Sequence, residues 1–416
     1  MLRAIKRMRE VSKAHGKREV LIRALRKMEL KLDEPRHKQR VAALNGEYYP
    51  GTPIYSYPEY LKVDYVNNPY VPIKKERTTK IISWLMPQPG HGGGHQNIFR
   101  FIEYLDQAGF TNRVYVIDNP TLGDIPSAKA AVAQYCKAKN LEFYHFEEAT
   151  FDPEVDIVFA TTWESAYNVF TIQTDALKYY FVQDFEPTFF AIGSKYILAH
   201  NTYKFGFKGI TAGKWLSTML TRDFGMICDD YDFGADKKLY HVSNVGVREG
   251  VFYYARPETE RRGFELGIMA LELFHKKHPS VVIHMAGSDV SSYAIPFPYE
   301  NHGIMQLSEL SDIYNQCSAG LVLSLTNMSL LPLELLSSGT IPVVNDAENN
   351  RLVSDNENIH YVEASPLSLA NGLSEAYEQN KNSARSEQMA ASVNASGWDD
   401  AGKKFVTMIT TDLRNN

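Results

Sequence analysis

One cadence constrains this chain more than any other feature: a short apolar run, a turn and an amphipathic helix, repeated, then restarted after residue 240. In the first half the runs are KIISWLMP from Lys80, RVYVID (113–118), DIVFATT (156–162) and KYYFVQD (178–184). Each is too short for a globular helix and rich in β-branched or aromatic residues, so each reads as a buried strand. Between the first two, QNIFRFIEYLDQAGF sets Ile98, Phe101, Ile102 and Leu105 on one helical face. The second half repeats the order. GVFYYAR (250–256) precedes the helix RGFELGIMALELFHKKHP (262–279), which Pro279 ends. SVVIHMAG, the helix ELSDIYNQC, AGLVLSL, the helix LLPLELLSSG and TIPVVND come next. Strands apolar throughout and separated by helices are the pattern of a parallel sheet covered on both faces. The expectation is therefore α/β: two doubly wound domains facing a cleft, joined near 225–245. Their boundaries are 46–238 and 239–395, with a basic helical extension at 1–45 and a last helix, containing Trp398 and FVTMI, at 396–416.

Bulk properties fit that reading. A length of 416 residues allows two domains, and 44% hydrophobic with 22% charged residues is the balance of a globular protein. No apolar run approaches the ~20 residues that cross a bilayer, and MLRAIKRMREVSK lacks a signal-peptide core. A cytoplasmic location is expected. Cys136, Cys228 and Cys317 are odd in number and show no CxxC spacing, so they read as packing thiols. Charge is uneven: residues 1–40 carry fourteen Lys/Arg against five Asp/Glu, while the whole chain is at −5. Within this arm Leu21, Ile22, Leu25, Met28 and Leu32 recur at helical spacing. Three readings stand: peripheral contact of residues 1–40 with an anionic inner membrane face, a helix packed on its own domain, or a frayed arm. No nucleic-acid partner is expected, since the rest of the chain is acidic and carries no such module. Residues 33–79, rich in Pro and Tyr, read as an irregular wrap on the first domain.

Three loops can carry chemistry. GHGGGH (90–95) fails the G-x-G-x-x-G fingerprint, which excludes a dinucleotide site of that type. Gly93 and Gly94 still bring backbone N–H groups at a helix start within reach of a phosphate or sugar, unless the loop is a plain turn. Arg256 ends a strand and Arg262-Gly263 opens the next helix. Two guanidiniums beside a helix N-terminus suit a diphosphate; Arg261 competes for the second role, and a solvated basic turn is the alternative. Finally, Ser324–Leu333 forms a strand-to-helix loop ahead of Glu334, whose carboxylate suits ribose hydroxyls or simply the helix dipole. No Cys/His cluster has zinc spacing and no DxD-like pair follows a suitable strand. Asp229-Asp230 falls at the linker and Asp399-Asp400 in the tail, so no metal ligand and no cofactor are expected.

The order Gly-rich loop, Arg-x5-Arg-Gly, Leu-x3-Glu-x4-Gly-Thr-x-Pro-Val-Val resembles retaining GT-B glycosyltransferases of the family 4 type, whose two domains are Rossmann-like, across roughly residues 80–410. KYYFVQDFEPTFFAIGSKYILAHNTYKFGFKGITAGKWLSTML with TNMSLLPLELLSSG resembles more narrowly the S-layer glycan rhamnosyltransferases of the WsaF type. The resemblance implies that Arg256 and Arg262 grip a donor diphosphate and that Glu334 holds the ribose. Asn327, Met328, Ser329 and Leu330 would meet the phosphates and sugar, and Ile304 with Met305 the base. The family pattern has a second glutamate where this chain has Thr326, which leaves sugar identity open and makes a deoxy sugar a suitable fit. Gln183, Asp184 and Glu186, with Trp163 and Glu164, would line the acceptor side, Asp184 orienting the acceptor hydroxyl; ordinary capping and packing is the alternative for each. The implied activity is polysaccharide biosynthesis: metal-independent transfer of L-rhamnose, with retention, from dTDP-β-L-rhamnose to a growing lipid-carried or oligosaccharide glycan acceptor. A transferase using a UDP- or GDP-sugar, or an inactive nucleotide-sugar-binding scaffold, are the alternatives.

Overall fold

The computed structural model describes residues 58–117, 125–147, 151–328, 330–393 and 397–415. The basic arm, including Leu21 to Leu32, and the wrap up to residue 57 lie outside the described residues, as does Ser329. One compact unit runs Tyr60–Asn416.

Thirteen parallel strands form two sheets among the described residues. The first contains β1 (Ile81–Met86), β2 (Thr111–Val116), β3 (Leu141–His145), β4 (Ile157–Ala160), β5 (Leu177–Val182), β6 (Lys208–Ala212) and β7 (Cys228–Tyr231), in the order β3-β2-β1-β4-β5-β6-β7. Its helices are α1 (Gly93–Gln107), α2 (Ile125–Val132), α3 (Trp163–Thr171), α4 (Ser194–Asn201) and α5 (Lys214–Phe224). The second contains β8 (Gly250–Tyr254), β9 (Val282–Ala286), β10 (Glu300–Gly303), β11 (Cys317–Val322), β12 (Ile341–Asn345) and β13 (His360–Val362), ordered β10-β9-β8-β11-β12-β13. Its helices are α6 (Phe264–Lys277), α7 (Leu307–Gln316), α8 (Leu331–Ser337), α9 (Glu348–Arg351), α10 (Pro366–Asn380) and α11 (Ser386–Ser392). A last helix, α12, spans Trp398–Asn415.

All eight strands expected from apolar runs are present. The five that were not expected are β3, β6, β7, β10 and β13. Four of these are the outer strands of the two sheets, half-open to water and short: CDDY, ENHG and HYV carry no apolar run because only one side of the ladder is covered.

Register explains the core of the first sheet. Trp84 lies opposite Phe159 on neighbouring strands, so their rings stack at 4.2 Å between centroids and 7° between planes. Phe405 of α12 lies 4.6 Å from Phe101 of α1 and 6.2 Å from Phe159. Trp398, Ala401, Phe405 and Ile409 recur along one face of α12 and are buried. Burying such side chains contributes about 1.5–3 kcal/mol each. The tail of the chain thus returns from the second half to complete the first sheet's core. Tyr104 donates to Asp399 (2.6 Å), and Tyr179 and Lys208 both meet Asp412. Residues from Tyr60 onward wrap the same body as expected, with Tyr70 N–H donating to the Phe205 carbonyl. In the second sheet the fully buried Arg248 donates to the carbonyls of Asn244, Tyr314, Cys317 and Ser338 and to Thr340. With Ser383 Oγ and Asn315 Oδ1 these make seven acceptors around one guanidinium, which offset the cost of burying it. Burial pushes the thiols of Cys136 and Cys228 up to about 11 and 12, leaving them protonated packing groups.

Candidate active site

In a doubly wound sheet the strand order reverses at one point, and the loops leaving the two strands on either side of it diverge to leave a crevice. Here the reversals fall between β1 and β4 and between β8 and β11. The Gly-rich loop leaves β1, the arginine loop leaves β8, and the loop before Glu334 leaves β11. All three sequence motifs therefore sit at switch points.

The arginine loop closes as a tight turn, Glu260–Arg262, and Gly263 adopts φ +58 as it becomes the first boundary residue of α6. A left-handed backbone there favours glycine. Arg262 turns inward and donates to Ser324 at 2.6 Å. Burial holds its guanidinium below its ordinary pKa, while Asp184 opposes that shift and Arg261 and Arg256 add to it. Arg261 donates to Asp184 at 3.2 Å and lies 4.1 Å over the Phe189 ring. Arg256 is engaged by Glu258 and by the Tyr254 hydroxyl at 3.0 Å. The pair expected at 256 and 262 is thus three guanidiniums in one electrostatic neighbourhood, with Arg261 the one that touches the opposite sheet.

Asp184, at the end of β5, faces the β11 loop rather than an open groove. Its Oδ1 accepts from the N–H groups of Phe185 (2.9 Å) and Asn327 (2.9 Å), and its Oδ2 from Thr326 Oγ1 (3.0 Å) and Arg261. A carboxylate offers about four lone-pair positions, so all are taken. Asn327 Nδ2 donates to the carbonyls of Gln183 (3.0 Å) and Ala212 (2.8 Å), and its buried Oδ1 has no donor among the described residues. Three asparagines hold the same loop from behind: Asn345, Asn349 and Asn350 all donate to the Ser324 carbonyl, at 3.0–3.1 Å. They lie in the run NDAENN, which starts at the last residue of β12 and enters α9, a polar cluster that could have signalled a loop clamp.

Glu334 is half-buried in the first turn of α8. Burial pushes its carboxyl up to about 7, against the pull of Arg100 and of a hydrogen bond with Tyr314. Arg100 belongs to α1 under the first sheet, lies 3.9 Å over the Trp398 ring, and keeps Nη1 buried without a partner among the described residues. It was hidden in the sequence as one polar letter of an amphipathic helix. Leu330 forms the boundary of α8, and Met328 is buried. Ile304 is 88% exposed after β10, with Met305 packed against the core, so the two point apart.

On the first sheet, Gly93 and Gly94 are exposed at the start of α1, and Gln183 donates to the Gly94 carbonyl at 3.1 Å. Glu186 does not face the cleft freely. Its carboxylate is buried, accepting from Trp163 N–H (2.8 Å) and the Tyr180 hydroxyl (2.7 Å), and burial raises it to about 8. It serves the N-terminus of α3, whose first residue is Trp163, itself buried. Glu164 is half-buried, and burial raises it too. Of the five acceptor-side residues, Trp163 and Glu186 are joined to each other rather than displayed. The paired aspartates are committed elsewhere: Asp229 meets Lys208 (2.6 Å), Asp230 meets Lys404 (3.1 Å), and Asp399 meets Tyr104. A cavity of about 400 Å³ lined by Lys178, Lys208, Phe224 and Asp412 lies by the opposite, amino-terminal ends of β5 and β6. It belongs to none of these loops. No described helix is long and apolar enough to cross a membrane.

Residues 249–374 match a family model described as WsaF, C-terminal domain. The O-antigen biosynthesis protein RfbC of Myxococcus xanthus is 32% identical over 330 residues, which is 76% of this chain and 26% of that protein. The chain thus spans about a quarter of the length of the curated relative it matches. Among solved structures, HepE of Anabaena in complex with UDP and glucose superposes with a TM-score of 0.62 at 14% identity, covering 80% of this chain and 99% of HepE. A mutant of TarM from S. aureus, solved with Fondaparinux, alpha-GlcNAc-glycerol and UDP, gives 0.63 at 10% identity, covering 79% of this chain and 99% of TarM. The fold is that of the GT-B glycosyltransferases.

Proposed function

We propose that this chain is a retaining glycosyltransferase of glycan biosynthesis that moves L-rhamnose from dTDP-β-L-rhamnose to a growing, lipid-carried glycan. The observation that carries the reading is the gathering of Arg256, Arg261 and Arg262 at the β8–β11 switch point, beside the start of α6. Breaking the bond from the sugar's C1 to the diphosphate leaves negative charge on the departing oxygens. Fixed guanidiniums and helix N–H groups stabilise that charge without reorganising. The acceptor hydroxyl then bonds to C1 on the same face, and its proton passes to the departing phosphate oxygen. No metal and no separate base are required by this route. Glu334 would take the ribose hydroxyls, and Gly93 and Gly94 would approach the donor from the other side of the cleft.

Thr326 acquires a reason here. A glutamate at 326 would set a second carboxylate against Asp184, whose own Oδ2 already occupies hydrogen-bonding distance of the Thr326 hydroxyl. Like charges so placed cannot both ionise freely. In this chain the carboxylate beside the donor loop comes from the first sheet, and Asp184 acts as a positioning residue that sets the loop. The basic arm would keep the enzyme at an anionic inner membrane face.

A second reading, a UDP-sugar donor, is favoured by UDP in the HepE and TarM complexes. Calorimetric titration of the parent, Arg256→Ala and Glu334→Ala with dTDP, UDP and GDP decides. Tight dTDP binding that both variants lose supports the rhamnosyl reading. A preference for UDP or GDP retains the transferase and overturns rhamnose. Absence of all three, with no slow donor hydrolysis, leaves only a binding scaffold.

A further inference from the structure

His284 stands in the middle of β9, and Glu300 and His302 stand two residues apart on the neighbouring β10. Alternate residues of a strand share a face, and the parallel register sets Glu300 directly opposite His284. The register then shifts between Asn301 and Gly303, an irregularity of the kind that re-aims a side chain. His302 lies within that irregularity. The result is three ligand-type atoms facing one another. His284 Nδ1 lies 3.0 Å from His302 Nε2 and 3.2 Å from Glu300 Oε2, and the last two atoms are 3.8 Å apart.

Hydrogen bonding alone serves this triangle poorly. A proton on one of the facing nitrogens can bridge one edge well, not three. A dication serves all three edges together. The circle through atoms spaced 3.0, 3.2 and 3.8 Å has a radius of about 2.0 Å. Zinc bonds to imidazole nitrogen and carboxylate oxygen are ~2.0–2.2 Å, and tetrahedral ligands at that length stand about 3.3 Å apart. An ion just above the plane of the three atoms would therefore reach each at bonding distance with little movement. Two imidazoles and one carboxylate are also the donor set that prefers zinc over calcium or magnesium. The His284 ring lies against Gly250, where a Cβ would come within 2.7 Å of Cδ2. Only glycine at 250 leaves the ring this place, with Nδ1 turned toward β10. Glu300 is 58% exposed, which leaves the fourth coordination position open to water.

We propose that His284, Glu300 and His302 form a zinc site that ties the outer strand β10 to β9. It lies on strands other than those that lead into the arginine and Glu334 loops, and stands whether or not the donor assignment does. Its consequence is mechanical: β10 is an outer strand of four residues paired on one side, and a metal bridge would hold it, and the Ile304–Met305 segment that leaves it, against the sheet.

The full chain, stripped with chelator and dialysed, is titrated with Zn²⁺ against a chromophoric chelator, alongside His302→Ala and Glu300→Gln. The parent should bind one more equivalent than either variant, or bind the first equivalent at least ~10-fold more tightly. Its Tm should rise with zinc by more than theirs, because an ion that binds only the folded state stabilises it by mass action. Glu300→Gln changes an exposed side chain, so it tests the site even where His302→Ala folds poorly. Zinc absorption spectroscopy should find two nitrogen ligands and one carboxylate oxygen at about 2.0–2.2 Å. Equal stoichiometry and affinity in parent and both variants, or no zinc bound by the parent, overturns the proposal.

Discussion

The two faces of the cleft differ in how they use polar groups. On the second sheet, guanidiniums and loop N–H groups lie at the ends of β8 and β11, supported from behind by Asn345, Asn349 and Asn350. On the first sheet the carboxylates are turned toward the protein: Glu186 to α3, and Asp184 to the loop across the cleft. One face is arranged for an anion. The other sets the geometry of the first. The contrast predicts that changes on the second sheet move nucleotide affinity, while changes on the first move stability or transfer.

The largest expected effect is on the first sheet. Phe405→Ala removes a ring in contact with Phe101, Phe159 and Trp84 and should lower unfolding free energy by about 3–5 kcal/mol. Urea denaturation measures this, and dTDP affinity of the folded fraction should stay within about twofold. A larger loss of affinity would break the separation between the faces. Arg262→Ala should do the reverse. Loss of a half-buried, charge-assisted contact costs about 2–3 kcal/mol, which is roughly a 30- to 160-fold rise in the dTDP dissociation constant by calorimetry. Asp184→Asn keeps the shape but places a donor where Thr326, Arg261 and Asn327 already donate. The expected outcome is a roughly tenfold fall in kcat for transfer, with nucleotide affinity changed by less than about threefold, since two charge-assisted bonds are weakened. A fall in affinity equal to the fall in kcat would make Asp184 a donor-binding group instead.

The smallest effect is a pH dependence. Glu334 titrates in the folded chain at about 7, above its ordinary value, because burial disfavours the charged form. Its contribution to stability is complete below the ordinary carboxyl range and is lost as pH rises towards and through about 7. Glu186, raised to about 8, acts in the same direction over a slightly wider window. The parent's urea midpoint should therefore fall between about pH 5 and 8, and Glu334→Gln should flatten the lower part of that fall. Nucleotide binding should run oppositely, strengthening as Glu334 ionises to accept ribose hydroxyls.

The sheets and the second-sheet loops were readable because their causes are local. Strands covered on both faces need continuous apolar runs, and a turn between strand and helix needs Gly263 and its arginines in fixed order. Strands β7, β10 and β13 were not readable, since an outer strand is held by its neighbour's ladder and leaves no pattern of its own. Nor could spacing show that Asp184 meets Thr326, 142 residues away, or that His284 meets Glu300 and His302 through a parallel register. Sequence left Glu186 open between an acceptor-side role and helix capping, because both use the same residue type. What separated them was burial, a property of the folded chain.

The return of α12 to the first sheet has a consequence for anyone exchanging parts of this molecule. The chain passes from the first sheet to the second before β8 and back again between α11 and α12, so the second sheet is an internal insert, not a terminal half. A transplant of nucleotide preference between relatives needs two junctions, one near each passage. A single cut before β8 would carry Trp398 and Phe405 away with the foreign piece and leave the host's aromatic layer to be filled by a stranger's helix.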